Sequence, residues 1–308
     1  MEPLLDIFRA LADPSRVRIL LLVRRMELSV GELALVLAQS QPRVSRHVRI
    51  LDEAGLVVRA REGAWVFVRL GAAEVAGPVL AAIDALAEGV VADDLAQLEM
   101  VRAERSAAAD AWFAANAADW DRERSLFTRE AEVEAAICTA LAGRALGDLV
   151  DVGTGTGRMI ELLGPAAATA LGVDRSPEML RLARGRIEAA GLAHAEVRHG
   201  DIYALPRAAA STDTVVLHQV LHFADDPAAV IAEAVRLLRP GGRLLVVDLA
   251  PHQREELRSQ RQHMRLGFAD DAVCGWMAAA GLVPRVAAHL PAAQALAVTL
   301  WLGERSLA

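Results

Sequence analysis

Apolar residues follow two different patterns along this chain of 308 residues. Up to about residue 118 most of them recur every three or four positions, which is typical of amphipathic helices. From residue 149 onward short apolar runs alternate with helical segments, and this alternation favours an α/β domain with a doubly wound parallel sheet. The length also favours two domains, since single cores seldom grow past about 250–300 residues. We predict a first domain at residues 1–71, a helical connector at 72–118 and a larger α/β domain at 119–308.

The first domain contains predicted helices followed by a predicted hairpin. Asp13, Ser29 and Ser40 stand immediately before helical segments and are suited to N-capping. Two short β-type runs surround the polar turn Arg61–Ala64, which indicates a hairpin. This order of elements predicts a winged helix-turn-helix, an α+β fold. The predicted helices cover residues 4–12, 15–25, 30–37 and 41–54, and the predicted strands cover 56–60 and 65–70.

The fourth predicted helix has one apolar and one polar face, and Val44, Val48 and Leu51 form the apolar one. In a winged helix-turn-helix this helix enters the major groove of DNA, where Arg reads guanine and Gln reads adenine. Residues 1–71 hold eleven Arg against eight Asp and Glu, a net charge of +3 in a chain of net charge −7, which favours a polyanionic partner. A protein-interaction module is the alternative. The predicted contacts to double-stranded operator DNA are Ser40, Gln41, Arg43, Ser45, Arg46 and Arg49 on the helix and Arg59 and Arg61 on the hairpin.

Three segments of this domain, Phe8–Arg16, Ser40–His47 and Leu51–Val57, closely resemble the ArsR/SmtB repressor family. Metal-sensing members of that family carry a Cys-x-Cys box on the third helix. Here the corresponding segment Gly31–Leu37 has no cysteine, and soft metals need thiolates. His47 is the one imidazole of the domain, and on this helix it is expected at the surface or at a phosphate. We therefore expect no metal site.

The segment Leu149–Gly157 joins an apolar run to a turn with glycine at every second position. Glycine lets a backbone turn tightly and approach a ligand closely, because no Cβ is in the way. A second apolar run ends in Asp174, and an acid at the end of the second strand can hold the two ribose hydroxyls of a nucleoside. The pair predicts a nucleoside-containing cofactor. The dinucleotide-binding fingerprint requires a small residue at position 158, where this chain has Arg158. This departure argues against a cofactor that contains a pyrophosphate.

An acid followed by Gly-x-Gly-x-Gly resembles the first motif of the class I S-adenosylmethionine (SAM) methyltransferases. The resemblance continues in order through His199–Ile202, His218–His222 and the turn Arg239–Gly242. It implies a Rossmann-like fold and SAM or S-adenosylhomocysteine (SAH) as the cofactor, with Asp201 at the adenine amino group. The predicted cofactor-binding residues are Asp151, Gly153, Thr154, Gly155, Gly157, Asp174, Arg175, Met179, Gly200, Asp201, Ile202 and His218.

Methyl transfer needs a general base only when the acceptor must lose a proton. His218, His222 and Tyr203 follow the third and fourth predicted strands, where α/β sheets bind ligands, and are the candidate catalytic residues. The two histidines can instead start a helix that packs over the adenosine. The chain has no Asn/Asp-Pro-Pro-Tyr motif and lacks the cysteines that arsenite methylation requires, which disfavours DNA and arsenite as acceptors. The charged segment at residues 252–263 is predicted to be helical and to cover the acceptor pocket.

The connector carries an apolar stripe at Val79, Ile83, Leu86 and Val90. This stripe either pairs with a second copy of the chain or packs on its own domain, and we expect a homodimer with two recognition helices about one DNA turn apart. No apolar stretch reaches the ~18–20 residues that would span a bilayer. The acidic N-terminus and the presence of only two cysteines favour the cytoplasm.

Together these features predict a transcriptional regulator of the repressor type. Its second domain is predicted to bind SAM or SAH as an effector. The alternative is an active SAM-dependent small-molecule methyltransferase whose winged helix is autoregulatory or dimerising. The sequence leaves open the operator, the methyl acceptor and the direction of the response.

Overall fold

The computed structural model describes residues 2–62, 65–86, 92–117, 120, 130–291 and 296–307. The chain divides into two compact units, Met1–Ala108 and Ala109–Ala308. The division falls inside the predicted connector, so the first part of the connector belongs to the N-terminal unit.

The N-terminal unit has the predicted winged helix-turn-helix fold. Its elements are α1 Glu2–Leu11, α2 Pro14–Val23, β1 Leu28–Ser29, α3 Val30–Val36, α4 Gln41–Glu53, β2 Val57–Glu62, β3 Trp65–Leu70, α5 Ala73–Leu86 and the first part of α6 Ala92–Asn116. Within the described residues the strands form an antiparallel sheet in the order β1-β3-β2. Strands β2 and β3 pair from Val57 with Leu70 to Glu62 with Trp65 and form the wing.

Local hydrogen bonds explain where these helices begin. The Ser15 amide donates to Asp13 Oδ1 at 2.8 Å, and Ser29 forms a reciprocal capping box with Glu32. Ser40 occupies the N-cap position of α4, but its side chain makes no capping hydrogen bond, so the capping role predicted for it is wrong. The N–H at the second helical position is one of the usual partners of an N-cap side chain. That position is Pro42, which has no N–H.

The apolar stripe of the connector packs within its own unit. Val79 and Ile83 on α5 contact the core that the winged helix-turn-helix builds, and Leu98 on α6 belongs to that core with 2% of its surface exposed. Leu86 has the opposite surroundings, since 87% of its surface is exposed. Val90 lies outside the described residues. Most of the described stripe therefore packs on its own domain, which was one of the two alternatives. Dimerisation stays a prediction.

The C-terminal unit has the predicted α/β architecture. Its elements after α6 are α7 Glu130–Leu141, β4 Asp148–Val152, α8 Arg158–Leu163, β5 Thr169–Asp174, α9 Pro177–Ala189, β6 Ala195–His199, β7 Thr212–His218, α10 Pro227–Leu237, β8 Leu238–Leu249, α11 Glu256–Arg261, α12 Asp270–Ala279, β9 Leu282–Leu290 and β10 Val298–Arg305, with 3₁₀ turns at Gly164–Ala166 and Leu221–Phe223. The strands in the described ranges form one sheet in the order β6-β5-β4-β7-β8-β10-β9. Strand β10 is antiparallel to both of its neighbours, and the remaining pairs are parallel.

Two hydrophobic cores lie on the two faces of this sheet. Successive strand residues point to opposite faces, so Leu245 and Val247 face one core while Val246 faces the other. The first core takes its helical residues from α7, α8, α9 and α11, and the second takes them from α10 and α12. A sheet covered on both faces leaves the ends of its strands as the place for a ligand.

Two segments differ from the sequence-based expectation. The predicted turn Arg239–Gly242 lies inside β8, where the pairing with β7 shifts register and Gly241 has φ of 75°. The segment at 252–263 is helical only over Glu256–Arg261, and this helix ends at Gln262, whose φ of 59° is left-handed. The segment predicted to be helical is therefore helical only in part.

Candidate DNA-binding surface and cofactor cleft

Helix α4 presents the residues predicted to contact DNA. Val44, Val48 and Leu51 are fully buried, because they recur on the face that meets α2 and α3. The candidate residues on the other face are exposed, as are the two candidate arginines of β2. The exposed candidates are Ser40, Gln41, Arg43, Ser45, Arg46, Arg49, Arg59 and Arg61.

The exposed arginines differ in their partners. Arg59 donates to Asp52 at 2.8 Å, and Arg49 lies 3.7 Å from Glu53. Within the described part of the chain, Arg43 and Arg46 form neither a hydrogen bond nor an ion pair with another side chain. These two guanidinium groups can therefore approach a base or a phosphate without breaking an existing interaction.

His47 is placed differently from its expected position at the surface or at a phosphate. It is 7% exposed, and neither ring nitrogen has a hydrogen-bond partner in the structure. Burial lowers its pKa, and the nearby charges of Arg16, Arg43 and Arg46 lower it further while Asp13 opposes them. The ring faces inward because position 47 lies on the same side of α4 as Val44 and Leu51, a consequence of helical spacing that the sequence already contained.

The glycine loop is folded back onto the second strand of the sheet. The amides of Gly153 and Thr154 both donate to Val173 O, at 2.8 and 3.0 Å. Gly153 and Gly157 have φ of 69° and 83°, which L-residues rarely adopt. A Cβ at Gly153 would lie 2.5 Å from Val220 Cγ2, so the close packing of Val220 against the loop requires glycine at this position.

Asp174 lies at the end of β5 and holds the loop in place. Its Oδ2 accepts from the Gly155 amide at 2.8 Å, and its Oδ1 accepts from the Ser176 amide at 2.9 Å. Burial raises the pKa of this carboxyl group, and the two amide hydrogen bonds oppose that effect. A carboxylate has about four lone-pair sites, so both oxygens keep capacity for the ribose hydroxyls.

The other predicted cofactor residues fall into two groups. Asp151 is 1% exposed and accepts a hydrogen bond from Thr154 Oγ1 at 2.6 Å, so it fixes the glycine loop from its buried side. Asp201 is exposed and accepts from the Tyr203 amide at 2.9 Å. The remaining predicted residues end strands or begin helices at the same edge. They are Arg175, which is exposed, Gly200 and Ile202, which are partly buried, and Met179 and His218, which are buried.

A buried histidine–carboxylate pair lies at this edge of the sheet. His222 Nδ1 is 2.7 Å from Asp248 Oδ1, and the two side chains are 4% and 0% exposed. Asp248 also accepts from the amides of Leu221 at 2.9 Å and Leu249 at 2.7 Å. An ionised carboxylate accepts only, so the Nδ1 of His222 carries the proton and a neutral ring keeps its lone pair on Nε2.

Ring side chains extend from this pair to the glycine loop, and we call them the His–aromatic cluster. Phe223 is its centre, with ring centroids 4.0 Å from His222, 5.2 Å from His263 and 5.0 Å from Phe113. Trp120 lies 5.5 Å from Phe113, and its Nε1 is 3.6 Å from where a Cβ on Gly155 would stand. The cluster therefore borders the cofactor loop. Its members are Phe113, Trp120, His222, Phe223 and His263.

Tyr203 is unsuited to the base role predicted for it. Its hydroxyl oxygen accepts from the Asp226 amide at 3.0 Å, and burial raises its pKa to about 12. A general base works best when its pKa is close to the operating pH. Of the three candidates, His222 has the better geometry. His218 is buried at the end of β7 and does not start a helix, and its role at the cofactor or in catalysis stays a prediction.

Sequence reasoning missed several residues of this cleft. Asp248 was only the end of an apolar strand, and its pairing with His222 depends on β7 and β8 being neighbours. Gln219 has φ of 56° and donates its amide to Val247 O at 2.7 Å, a left-handed backbone that costs about 1–3 kcal/mol in a non-glycine residue. The ring residues Phe113 and Trp120 carried no spacing that linked them to residue 223.

Two classes of site are therefore present in one chain, a helix-turn-helix surface and a class I methyltransferase cleft. Residues 13–58 match the family model of the bacterial regulatory proteins of the arsR family, and residues 150–246 match that of a methyltransferase domain. The chain thus combines a segment that matches the arsR family with a segment that matches a methyltransferase domain. No helix in the described ranges is long and apolar enough to cross a membrane.

Known proteins resemble the two parts separately. The arsenic resistance transcriptional regulator ArsR1 of Pseudomonas putida is 43% identical over 86 residues, which cover 28% of this chain and 63% of the relative. An arsenite methyltransferase of Aquipseudomonas alcaligenes is 36% identical over 123 residues, 36% of this chain and 35% of the relative. The matches thus span less than two thirds of either relative. A chain from the complex of the Haloferax volcanii Trm112 methyltransferase activator with a methyltransferase has a TM-score of 0.51 at 22% identity, covers 63% of this chain and 97% of that chain, and shows the fold alone.

Proposed function

We propose that the protein is a DNA-binding transcriptional regulator, a repressor in the first instance, whose methyltransferase-type unit binds SAM or SAH as an effector. One observation carries the proposal. The same chain presents Arg43 and Arg46, two arginines without a partner among the described residues, on its recognition helix and a glycine loop held by Asp174 at its sheet edge. The first feature suits operator DNA, and the second suits a nucleoside. A regulator of this kind acts in the cytoplasm.

The effector role requires that the ligand binds the DNA-competent and DNA-incompetent states unequally. SAM carries a sulfonium charge that SAH lacks, so one cleft can distinguish the two ligands electrostatically. The connector at residues 72–118 is the covalent link through which binding in one unit would alter the other. The proposal predicts a coupling of about 1–3 kcal/mol, or about 5–150-fold in operator affinity.

The test is the affinity for an operator duplex, selected from a random pool, measured with the protein alone, with SAM and with SAH. Operator affinity should change on addition of at least one of the two ligands. Asp174→Ala should abolish this response while it leaves the affinity of the ligand-free protein intact. Three identical titrations would exclude the sensor role and leave the enzymatic alternative.

We further propose that the regulator is a homodimer. Leu86 supports this proposal, because it is exposed on α5 while Val79 and Ile83 are turned towards the core of their own unit. Sedimentation equilibrium should show a dimer for the parent and a weakened dimer for Leu86→Glu. A monomer at concentrations that saturate the operator would contradict the proposal.

Methyl transfer to a small molecule is the second candidate function, and the His222–Asp248 pair favours it because a regulator that only senses SAM has no use for a base. Arsenite is disfavoured as the acceptor although one relative is named for it, since a soft metalloid needs several thiolates. The two cysteines, Cys138 and Cys274, stand on α7 and α12, which pack on opposite faces of the sheet. Release of SAH from SAM in the presence of an acceptor would identify this activity.

A further inference from the structure

We propose that the His–aromatic cluster binds an aromatic small molecule bearing an ionisable hydroxyl group, and that His222 takes the hydroxyl proton. The inference rests on SAM binding by the methyltransferase unit and deepens the second candidate function. It places a ligand subsite beside the glycine loop. It also names the chemical class of the ligand, an aromatic hydroxyl compound.

His222 is oriented to accept a proton. Its Nδ1–H donates to Asp248, which is fully buried and held by two backbone amides, so the ring has one fixed orientation. Within the described residues nothing forms a hydrogen bond with its Nε2. A carboxylate that fixes the imidazole and leaves the other nitrogen free is the arrangement of a general base, and Asp248 is its positioning residue.

Two neighbouring histidines have polar atoms that require a partner. His252 Nδ1 accepts from the Arg254 amide at 3.2 Å, so the proton of its neutral ring is on Nε2, which is buried without a partner. Among the residues that the structure describes, His263 Nδ1 is also buried without a partner. Each unpaired buried polar atom costs about 1–3 kcal/mol. A ligand with an oxygen beside its reacting hydroxyl would satisfy such atoms.

The surroundings favour a neutral aromatic ring over an amine or a strong acid. Burial lowers the pKa of His252 to about 4 and lowers that of His263 well below its usual value, so both rings are neutral near pH 7. Phe113 and Trp120 pack edge to face at an angle of 68°, an arrangement that aromatic rings favour and that a further aromatic ring could join. The charge of Arg258 also lowers both histidine pKa values, and it would stabilise negative charge that develops on a phenolic oxygen.

The reaction balances with SAM as the methyl donor. The acceptor O–H bond breaks, and its proton passes to Nε2 of His222. The acceptor oxygen forms a bond to the methyl carbon, while the electron pair of the broken C–S bond stays on sulfur and SAH remains. Asp248 balances the charge of the imidazolium until His222 releases the proton to water.

The test uses 4-nitrocatechol, whose absorption moves to longer wavelength when a hydroxyl ionises. The full chain is titrated with this probe at constant pH, with and without SAH, while absorbance and tryptophan fluorescence are recorded. In the parent protein the bound probe should be more ionised than in buffer. His222→Gln should still bind the probe but lose that ionisation, and Asp248→Asn should do the same through the misplaced ring. Trp120→Ala should weaken probe binding about tenfold or more.

His289→Gln is the matched control, because His289 is exposed on β9 outside the cluster and should behave like the parent. Absence of probe binding to the SAH-bound parent would overturn the subsite and leave the SAM sensor untouched. Equal ionisation by the parent and His222→Gln would overturn the role of His222. If SAH itself fails to bind, the proposed function fails, and the titration without SAH still decides whether His222 ionises a bound aromatic hydroxyl.

Discussion

The recognition helix and the cofactor cleft are built in opposite ways. Five of the eight residues predicted to contact DNA lie within the 13-residue helix α4, and helical spacing alone separates the exposed Arg43 and Arg46 from the buried Val44 and Val48. In the cleft, Gly153, Asp174 and His222 come from three separate segments, and the order of the strands brings them to one edge.

The two sites therefore differ in how strongly a single substitution should affect them. The DNA surface consists of exposed side chains that can be removed one at a time with little effect on the fold. The cleft consists of groups that also hold the backbone, since Asp174 fixes Gly155 and Asp248 fixes Leu221. Substitutions in the cleft should therefore have larger effects than those on α4.

The largest effect is expected for Asp174→Ala. Two ribose hydroxyls left unpaired cost about 1–3 kcal/mol each, so SAM and SAH affinity should fall by about 2–6 kcal/mol. Calorimetric titration measures this loss, with Asp201→Ala as the milder comparison because Asp201 is exposed. Unchanged affinity in Asp174→Ala would remove this carboxylate from the binding site.

Gly153→Ala should destabilise the C-terminal unit by about 2–5 kcal/mol. The left-handed backbone costs about 1–2 kcal/mol and the contact with Val220 adds about 1–3 kcal/mol. Urea denaturation followed by tryptophan fluorescence reports mainly on this unit, which holds four of the five tryptophans. Adding Val220→Ala should relieve part of the loss, and a Gly153→Ala protein as stable as the parent would show that the loop tolerates a side chain.

Acidification should destabilise the C-terminal unit through His252. Its pKa is about 4 in the folded chain and about 6.5 when unfolded, so the unfolded state takes up the proton first. The contribution of His252 to stability is therefore complete above about pH 7 and falls between pH 6.5 and 4 by at most about 3 kcal/mol. His252→Gln should make the pH dependence of stability shallower without abolishing it, because burial also lowers the pKa of His263. His289→Gln should leave the dependence unchanged, and identical pH profiles for parent and His252→Gln would refute the assignment.

On the DNA surface, Arg43→Ala should cost about 1–3 kcal/mol of operator affinity and relax the sequence preference. Arg61→Ala should weaken all sequences alike and reduce the salt dependence by about one charge. Filter binding over a salt series separates the two. Neither variant should alter SAH affinity, and an Arg43→Ala protein that binds the operator like the parent would displace α4 from the major groove.

The same contrast explains what the sequence could predict. The winged helix-turn-helix, the glycine loop and the β5 acid depend on short-range spacing and were predictable, and the fold classes are confirmed by the structure and by the matching families. The exposure of Arg43 and the burial of His47 both follow from helical spacing, although the second was predicted wrongly. The apolar stripe on α5 was ambiguous because packing on its own unit and packing on a partner require the same residues.

The pairing of His222 with Asp248 was not predictable from spacing. It depends on β8 lying beside β7. In the sequence, Asp248 is recognisable only as the residue that follows an apolar run. The ring residues Phe113 and Trp120 reach Phe223 only through tertiary packing. Neither arrangement has a pattern in the linear sequence.

The central claim is that the cofactor cleft and the DNA surface are coupled, and the reciprocal measurement tests it most directly. The Kd of SAH and of SAM should be determined by calorimetry with the protein alone, with saturating operator duplex and with a scrambled duplex of equal length. The operator should change the Kd of at least one ligand by about 5–150-fold, by the same factor as that ligand changes operator affinity, and the scrambled duplex should have a smaller effect. Kd values for both ligands that are the same in all three conditions would contradict this coupling.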